Sequence, residues 1–384
     1  MRSVNKDASN LSVLLVNASI DSVSGGGTAT RTIQIAKSIQ NDFGGESIIL
    51  STDQGLDKTC KNNYNDIKTV LLPCLNERFY VPYFSWNKLK ELIENVDIIH
   101  LMSHWTLINA VVYLLAKKLD KPYTFCPAGT LHIFGRSAFL KKIYNFFIGR
   151  SLIRNASMCI AITNLERRDF LKFNVKEDLI CVIPNGIDHN VFFPNLEASI
   201  TFKKRFGLQK FSYVLFMGRL NLIKGPDILL KAFIKLSVDF PTLHLVFAGP
   251  DEGLGEKLKE MIKKESLGNR VHLIGYIGGY DKIGAYTGAK ILVVPSRREA
   301  MSIVALEAGA CGTPVILTSE CGFDEVKEAG CMVVPPLVDE LYNGMHSMLS
   351  SSANLRKLGN NFRNLILNRY KWKKAAERYL RVSN

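Results

Sequence analysis

The sequence predicts an α/β protein made of two doubly wound parallel-sheet domains that face a cleft. Short apolar runs alternate with helical stretches along the chain, a pattern that produces parallel sheets with right-handed crossovers. The same grammar restarts near residue 190. A length of 384 residues suits two ordinary domains better than one.

In the first half, residues 11–17 (LSVLLVN) read as a buried parallel strand. A loop holding Gly25, Gly26 and Gly27 follows, and then the helical pattern TATRTIQIAKSI. DIIHLM and YTFCPA are strands around the helix NAVVYLLAKKL; MCIAIT and LICVIP continue the series, separated by NLERRDFLKF. In the second half YVLFM is a strand, residues 218–224 a loop and PDILLKAFIKLSVDF a helix. LHLVFAG, VHLIGY, KILVVPS and TPVILT are its further strands. The boundary is expected after IPNGID, giving an N-terminal domain over 1–188 and a C-terminal domain over 189–369. The segment 370–384 (YKWKKAAERYLRVSN) reads as a helix with Trp372, Ala375, Ala376 and Tyr379 on one apolar face. A ligand is expected in the cleft, at the carboxyl ends of the strands.

Composition narrows the class. Hydrophobic residues make up 47% and charged residues 22%, ordinary for a globular protein, so disorder is not the default reading. The net charge of +14 favours an anionic partner without choosing among phosphate, nucleic acid and an anionic membrane face. Eight scattered cysteines form no C-x-x-C pair, and several lie in apolar runs. They read as free thiols in a reducing compartment. The N-terminal MRSVNKDASN is polar and lacks the apolar core of a signal peptide. No apolar stretch approaches the roughly 20 residues of a membrane-spanning helix. A cytoplasmic location is expected.

Two stretches carry chemistry. In PSRREAMSIVALEAGACGTPVI a strand runs into Ser296, Glu299 and, eight positions on, Glu307 in an apolar helix. The turn ahead of such a helix offers free N–H groups and a positive dipole end, which suit a diphosphate. A carboxylate ahead of the helix can accept bonds from sugar hydroxyls, and one two turns later can hold ribose hydroxyls. In GRLNLIKGPDILLKAF, Arg219 and Lys224 occupy the loop after a strand, before a helix with Pro226 in its first turn. Two cations there can neutralise a diphosphate and a departing nucleotide. Taken singly, both stretches also read as ordinary solvated charge.

Jointly, in this order and spacing, the glycines 25–27, IPNGID (183–188), GRLNLIKG (218–225), AGPDEG (248–253) and PSRREAMSIVALEAGACGTPVI (295–316) resemble the retaining glycosyltransferases of family 4. That resemblance implies two Rossmann-like domains in the arrangement called GT-B and a nucleotide-sugar donor. It implies Glu299, Arg219 and Lys224 as the catalytic set, with the two cations on the diphosphate and Glu299 on the transferred sugar. Glu307 would hold the ribose. Gly26, Gly27, Tyr276, Ile277, Ala300, Met301, Ser302 and Ile303 complete the donor site, the base being read largely by backbone near residues 275–277. No cofactor and no metal are implied, retention needs no protein nucleophile, and the last helix returns to the N-terminal domain.

The chain departs from relatives at YTFCPAG (123–129), where Ala128 stands in place of an expected His. His104 and His132 are the nearest imidazoles and the candidate acceptor groups, although a lone His is more often structural. The second-half motif reads E-A-M-S where relatives often have E-G-F. Residues 136–154 (RSAFLKKIYNFFIGRSLIR) interleave five cations with apolar side chains and hold no acid. The plainer reading is a core helix with a solvated basic face; the other is peripheral contact with an anionic membrane, at its inner face, near a glycan or lipid-linked acceptor. Surface polysaccharide or glycolipid assembly is the expected context. A nucleotide-sugar epimerase and a degenerate binding module on the same fold are the alternatives. A nucleic-acid partner is not expected, since no basic face interleaved with base-stacking aromatics forms a recognisable motif.

Overall fold

A computed structural model describes residues 8–21, 25–56, 63–64, 66–131 and 138–382. Contacts divide the chain into two compact units, Met1–Gly186 with Trp372–Asn384, and Ile187–Lys371.

The first unit is an eight-stranded sheet in the order β10-β9-β8-β7-β1-β2-β4-β3. Its strands are β1 (Ser12–Val16), β2 (Glu46–Thr52), β3 (Asn63–Tyr64), β4 (Ile67–Leu72), β7 (Ile98–Met102), β8 (Tyr123–Cys126), β9 (Met158–Ala161) and β10 (Ile180–Val182). All pairings are parallel except the edge pair β3–β4. A separate hairpin joins β5 (Cys74–Asn76) to β6 (Val81–Pro82). The helices are α1 (Gly26–Phe43), α2 (Trp86–Glu94), α3 (Leu107–Lys118), α4 (Ala138–Tyr144), α5 (Arg150–Arg154) and α6 (Asn164–Lys172), joined at the end of the chain by the helix Trp372–Arg381. That last helix buries Trp372, Ala375, Ala376, Tyr379 and Leu380.

Every residue of β7 is buried, as expected of a parallel strand covered on both faces. Strand β2 is buried from Ser47 onward but escapes the apolar pattern, because it carries Ser47, Ser51 and Thr52. Ser47 Oγ donates to Ala36 O and Thr52 Oγ1 to Ala18 O; such internal bonds are what make polar residues tolerable in a core.

Two expectations for this unit are corrected. Gly26 and Gly27 are not in a loop but in the first turn of α1, with Gly25 as its N-cap. Gly25 is required by close approach, since a Cβ there would lie 2.5 Å from Ser19 O. The 136–154 segment, described from Ala138, is not a core helix: Phe139, Phe146 and Phe147 are 74%, 77% and 72% exposed. A π-helical turn at Asn145–Gly149 joins α4 to α5 and shifts the register. Only beyond it do Leu152 and Ile153 enter the core.

The second unit is a six-stranded, all-parallel sheet in the order β13-β12-β11-β14-β15-β16. These are β11 (Ser212–Met217), β12 (Leu243–Ala248), β13 (Val271–Gly275), β14 (Ile291–Val294), β15 (Val315–Thr318) and β16 (Met332–Val334). The helices of this unit are α7 (Leu196–Arg205), α8 (Pro226–Asp239), α9 (Gly255–Lys264), α10 (Gly279–Gly288), α11 (Ile303–Ala310), α12 (Val338–Ser350) and α13 (Ser352–Arg369); the last helix of the chain is α14. Core aliphatic and aromatic residues of β11, β12 and α8, such as Val214, Phe233 and Phe247, are shut off from solvent.

Candidate functional site

In the second unit strand order reverses between β11 and β14, and such a switch point opens a crevice at the carboxyl ends of the strands. The loops leaving those strands, 218–225 and 295–302, carry most of the residues the sequence singles out. Gly225 has φ +70°, and a Cβ there would meet Pro295 O at 2.1 Å. Only glycine permits the loops to approach so closely. Lys224 N–H donates to Asn221 Oδ1 at 3.0 Å, which shapes the end of the first loop.

The outcome is a pair. Lys224 Nζ stands 2.9 Å from Glu299 Oε1, while Glu299 Oε2 accepts from Ser296 Oγ at 3.0 Å. The side chains retain 23% and 12% of their exposure. One of the ammonium's three donors is thus used and the others can meet an anion. Arg219 is more open. It donates to Glu252 Oε1 at 3.0 Å, and Asn221 Nδ2 donates to the other oxygen of Glu252 at 2.7 Å. A diphosphate at Arg219 has to share the guanidinium with that acid.

Glu307, about one turn into α11, is buried. Its Oε1 accepts from Lys282 Nζ at 2.8 Å and its Oε2 from Tyr286 OH at 2.6 Å. Lys282 and Tyr286 are one turn apart on α10, hence on one face. Burial, and then the neighbouring carboxylate, push the Tyr286 hydroxyl well above the usual tyrosine range, so it remains a donor to Glu307. The carboxylate keeps lone pairs for further donors. Ser302 caps α11, its Oγ accepting from Ala305 N–H at 3.3 Å. Met301 and Ser302 are buried, Ala300 and Ile303 half-buried. What this turn offers a ligand is first-turn backbone amide, which has no intrahelical acceptor. Tyr276 is 60% exposed and Ile277 buried.

The residues singled out in the first unit form a separate set. His132 lies outside the described residues. His104 is 1% exposed, with Nε2 2.9 Å from Asn145 Oδ1 and the rings of Trp105, Phe125 and Tyr144 around it. Burial lowers its pKa to about 4. It is a neutral, packed imidazole with 1% of its surface exposed, and the expectation that it touches an acceptor is corrected on that ground. Ala128 follows β8 with φ +48°, and Ser103 and Trp105, after β7, have φ +68° and +47°. Left-handed backbone at three non-glycine residues near two adjacent strand ends is a concentration of strain, of the kind that gathers at functional sites. Hydrogen bonds hold it. Trp105 Nε1 donates to Thr130 O and Gly129 N–H to Glu166 Oε1, while Ile162 N–H donates to Glu166 Oε2 at 2.8 Å. Burial pushes Glu166 up to about 7 against the pull of those two N–H groups.

The sequence does not reveal Glu166, Glu252, Lys282 or Tyr286 as partners of the site. Only the one-turn spacing of Lys282 and Tyr286 was a signal, and it pointed to a shared face, not to Glu307. Among the described residues no cluster of three or more His, Cys, Asp or Glu could hold a metal ion, and no helix is long and apolar enough to cross a membrane. The described cysteines are free thiols.

Two doubly wound parallel-sheet units, one with a charged switch point, define the GT-B class of fold. Residues 25–191 match the family Glycosyltransferase Family 4, and residues 199–365 match Glycosyl transferases group 1. The chain belongs to these family 4-like, group 1 glycosyltransferases. It is 32% identical over 216 residues to an uncharacterized glycosyltransferase of Methanocaldococcus jannaschii, covering 55% of each chain. It is 33% identical over 180 residues to mannosylfructose-phosphate synthase of Agrobacterium fabrum, covering 44% of this chain and 39% of that one. The chain thus spans about half the length of the curated relatives it matches. The structure of Anabaena HepE in complex with UDP and glucose superposes with a TM-score of 0.79 at 19% identity, over 97% of this chain and 99% of that one.

Proposed function

We propose that the protein is a metal-independent, retaining hexosyltransferase that moves a sugar from a nucleoside-diphosphate donor to a glycan or lipid-linked acceptor. The observation that carries this reading is the Lys224–Glu299 pair at the switch point, 2.9 Å apart beside the first turn of α11. Lys224 and Arg219 meet the diphosphate and Glu299 the hydroxyls of the transferred sugar. Glu307, already oriented by Lys282 and Tyr286, meets the ribose. The amides of residues 301–303 complete the anion site, and the base lies against backbone near 275–277. HepE, of the same fold, holds UDP and glucose, which supports a sugar-nucleotide donor here.

The chemistry is a single exchange. The bond between the anomeric carbon and the leaving phosphate oxygen breaks, the acceptor oxygen bonds to that carbon on the same face, and the acceptor proton passes to the leaving phosphate. Stabilising the departing diphosphate is the largest contribution in such a step, and two cations with a helix end supply it. Chelators are therefore expected to leave activity unchanged.

A second observation concerns the acceptor. Phe139, Leu140, Phe146 and Phe147 stand exposed beside Lys141, Lys142, Arg150 and Arg154, with no acid in the described part of the segment. Apolar side chains flanked by cations suit the headgroup region of an anionic bilayer. We place a lipid-linked acceptor there, within surface polysaccharide or glycolipid assembly at the inner face of the membrane. Sedimentation with phosphatidylglycerol vesicles, lost on Phe146→Ser with Phe147→Ser and absent with phosphatidylcholine alone, is the expected result.

The deciding experiment is a thermal-shift and hydrolysis screen against UDP-, GDP- and ADP-sugars. Stabilisation by one nucleotide with slow release from its sugar is expected. Silence toward all three refutes the donor reading and leaves a degenerate binding fold.

A further inference from the structure

Arg297 follows Ser296 in the turn after β14 and plays no part in the reading above. Its guanidinium meets the Asp227 carboxylate in two parallel bonds, Nη1 to Oδ1 at 2.8 Å and Nη2 to Oδ2 at 2.7 Å. Nη1 also donates to Leu222 O at 2.7 Å, and the Arg297 backbone N–H donates to Ile223 O at 2.8 Å. Asp227 is in the first turn of α8, directly after the Lys224 loop, and its side chain is 9% exposed. Burial alone would raise its pKa; the bonds and charge of Arg297 outweigh that and hold the carboxyl below its ordinary range. The acid is thus ionised at neutral pH, as a two-pronged pair requires. Four hydrogen bonds from one residue therefore tie the turn after β14 to the loop after β11, two to its carbonyls and two to Asp227 in the helix turn that follows it. Beside them is the Gly225–Pro295 approach, which tolerates no side chain. The element they join on each side carries one member of the Lys224–Glu299 pair: Lys224 two positions after Leu222, Glu299 two positions after Arg297.

We propose that Arg297 is a positioning residue, which through Asp227 and the carbonyls of Leu222 and Ile223 sets the separation of Lys224 from Glu299. This deepens the donor-site reading and rests on it for its consequence in binding. A long lysine in a glycine-ended loop has many rotamers and an unrestrained path, and a diphosphate gains little from a cation that has to be ordered on binding. Fixing the loop before the ligand arrives removes that ordering cost. Arg297 is suited to this because a planar fork fixes direction as well as distance, which a lysine ammonium does not.

The test is made on the full chain with two readouts. The first is hydrogen exchange at the amides of residues 219–225, which needs no ligand. The second is titration with UDP, GDP and ADP and, for whichever binds, the kcat and KM of its sugar donor. Arg297→Ala is expected to speed exchange of the loop and to raise the Kd of the folded protein for nucleotide on the order of tenfold, with melting also lowered because the 9%-exposed Asp227 carboxylate loses its partner. Asp227→Asn should do the same to a smaller extent, because the Arg297 bond to Leu222 O survives it, and combining the two should cost no more than Arg297→Ala alone. Arg297→Lys, which restores charge without the fork, should recover less than half of the lost affinity. If Arg297→Ala leaves loop exchange and nucleotide Kd at wild-type values, the proposal is overturned. A role in folding alone would instead lower melting while the folded fraction kept its KM. If no nucleotide binds even the wild type, the donor reading fails and the exchange comparison by itself decides whether Arg297 orders the loop.

Discussion

The two units present the same topological feature with opposite electrostatic treatment. In the second unit the loops at the β11/β14 switch point hold paired charge whose cations are partly open to solvent: Lys224 with Glu299, Arg219 with Glu252, Arg297 with Asp227. In the first unit the order reverses between β1 and β7, and the nearby groups are buried and mostly neutral. His100 and His104 are held uncharged by burial. Arg31 is the exception. It is 1% exposed, and instead of a carboxylate it meets Tyr379 OH at 3.2 Å, Asn185 Oδ1 at 2.8 Å and Ile183 O at 2.7 Å. One doubly wound sheet can thus hold a ready anion site, and another of like topology a strained but sealed one. The difference lies in whether loop charges are left reachable by solvent.

The largest expected effect breaks the charged side. Lys224→Ala or Glu299→Ala should lower transfer on the order of a thousandfold, as loss of a preorganised charge does, with melting unchanged because both sit in loops. Near-wild-type transfer by either variant would remove the switch point from the chemistry. Next comes the sealed side. Arg31→Leu removes the donors to Ile183 O, Asn185 Oδ1 and Tyr379 OH, and should cost about 3 kcal/mol in denaturant unfolding; nucleotide affinity of the second unit should not move.

Acid sharpens the contrast further. The folded pKa of His104, about 4, lies below its ordinary 6.5, and that of His100 is lower still, about 3. Unfolded chain takes up these protons first, so the stability they allow is complete above pH 6.5 and is lost as pH falls toward 4. About 3 kcal/mol is at stake for His104. Glu166 works in the other direction: its folded pKa of about 7 exceeds the ordinary 4.5, so stability falls as pH rises between those values. Melting curves of His104→Phe and Glu166→Gln from pH 4 to 8 should each flatten one of the two slopes. The smallest effect is a control. Lys68 and Glu46 pair at 3.4 Å on open surface, and Lys68→Ala should change stability by less than about 0.5 kcal/mol.

How much was legible varies by element. Strands such as Ile98–Met102 and Leu243–Ala248 are apolar apart from one His each and announce a two-faced parallel sheet. Strand Glu46–Thr52 hides its burial because bonded hydroxyls replace methyl groups. The aromatic residues near 140–147 look like core by composition, yet a π-helical turn sends Phe146 and Phe147 outward. Apolar content does not state direction.

By itself the sequence determined the two doubly wound sheets and the family, because periodic burial and glycine-bearing turns are local properties of the chain. It also marked Arg219, Lys224 and Glu299 as charges in loops after strands, and Glu307 as a carboxylate on the helix that follows. Tertiary structure alone decided their company. Lys224 meets Glu299 across 75 positions, Arg297 meets Asp227 across 70, and Glu307 meets Tyr286 across 21. It also sealed His104 among aromatic rings. Contacts between loops of adjacent strands depend on sheet order and loop closure, and neither is written in the spacing of residues along the chain.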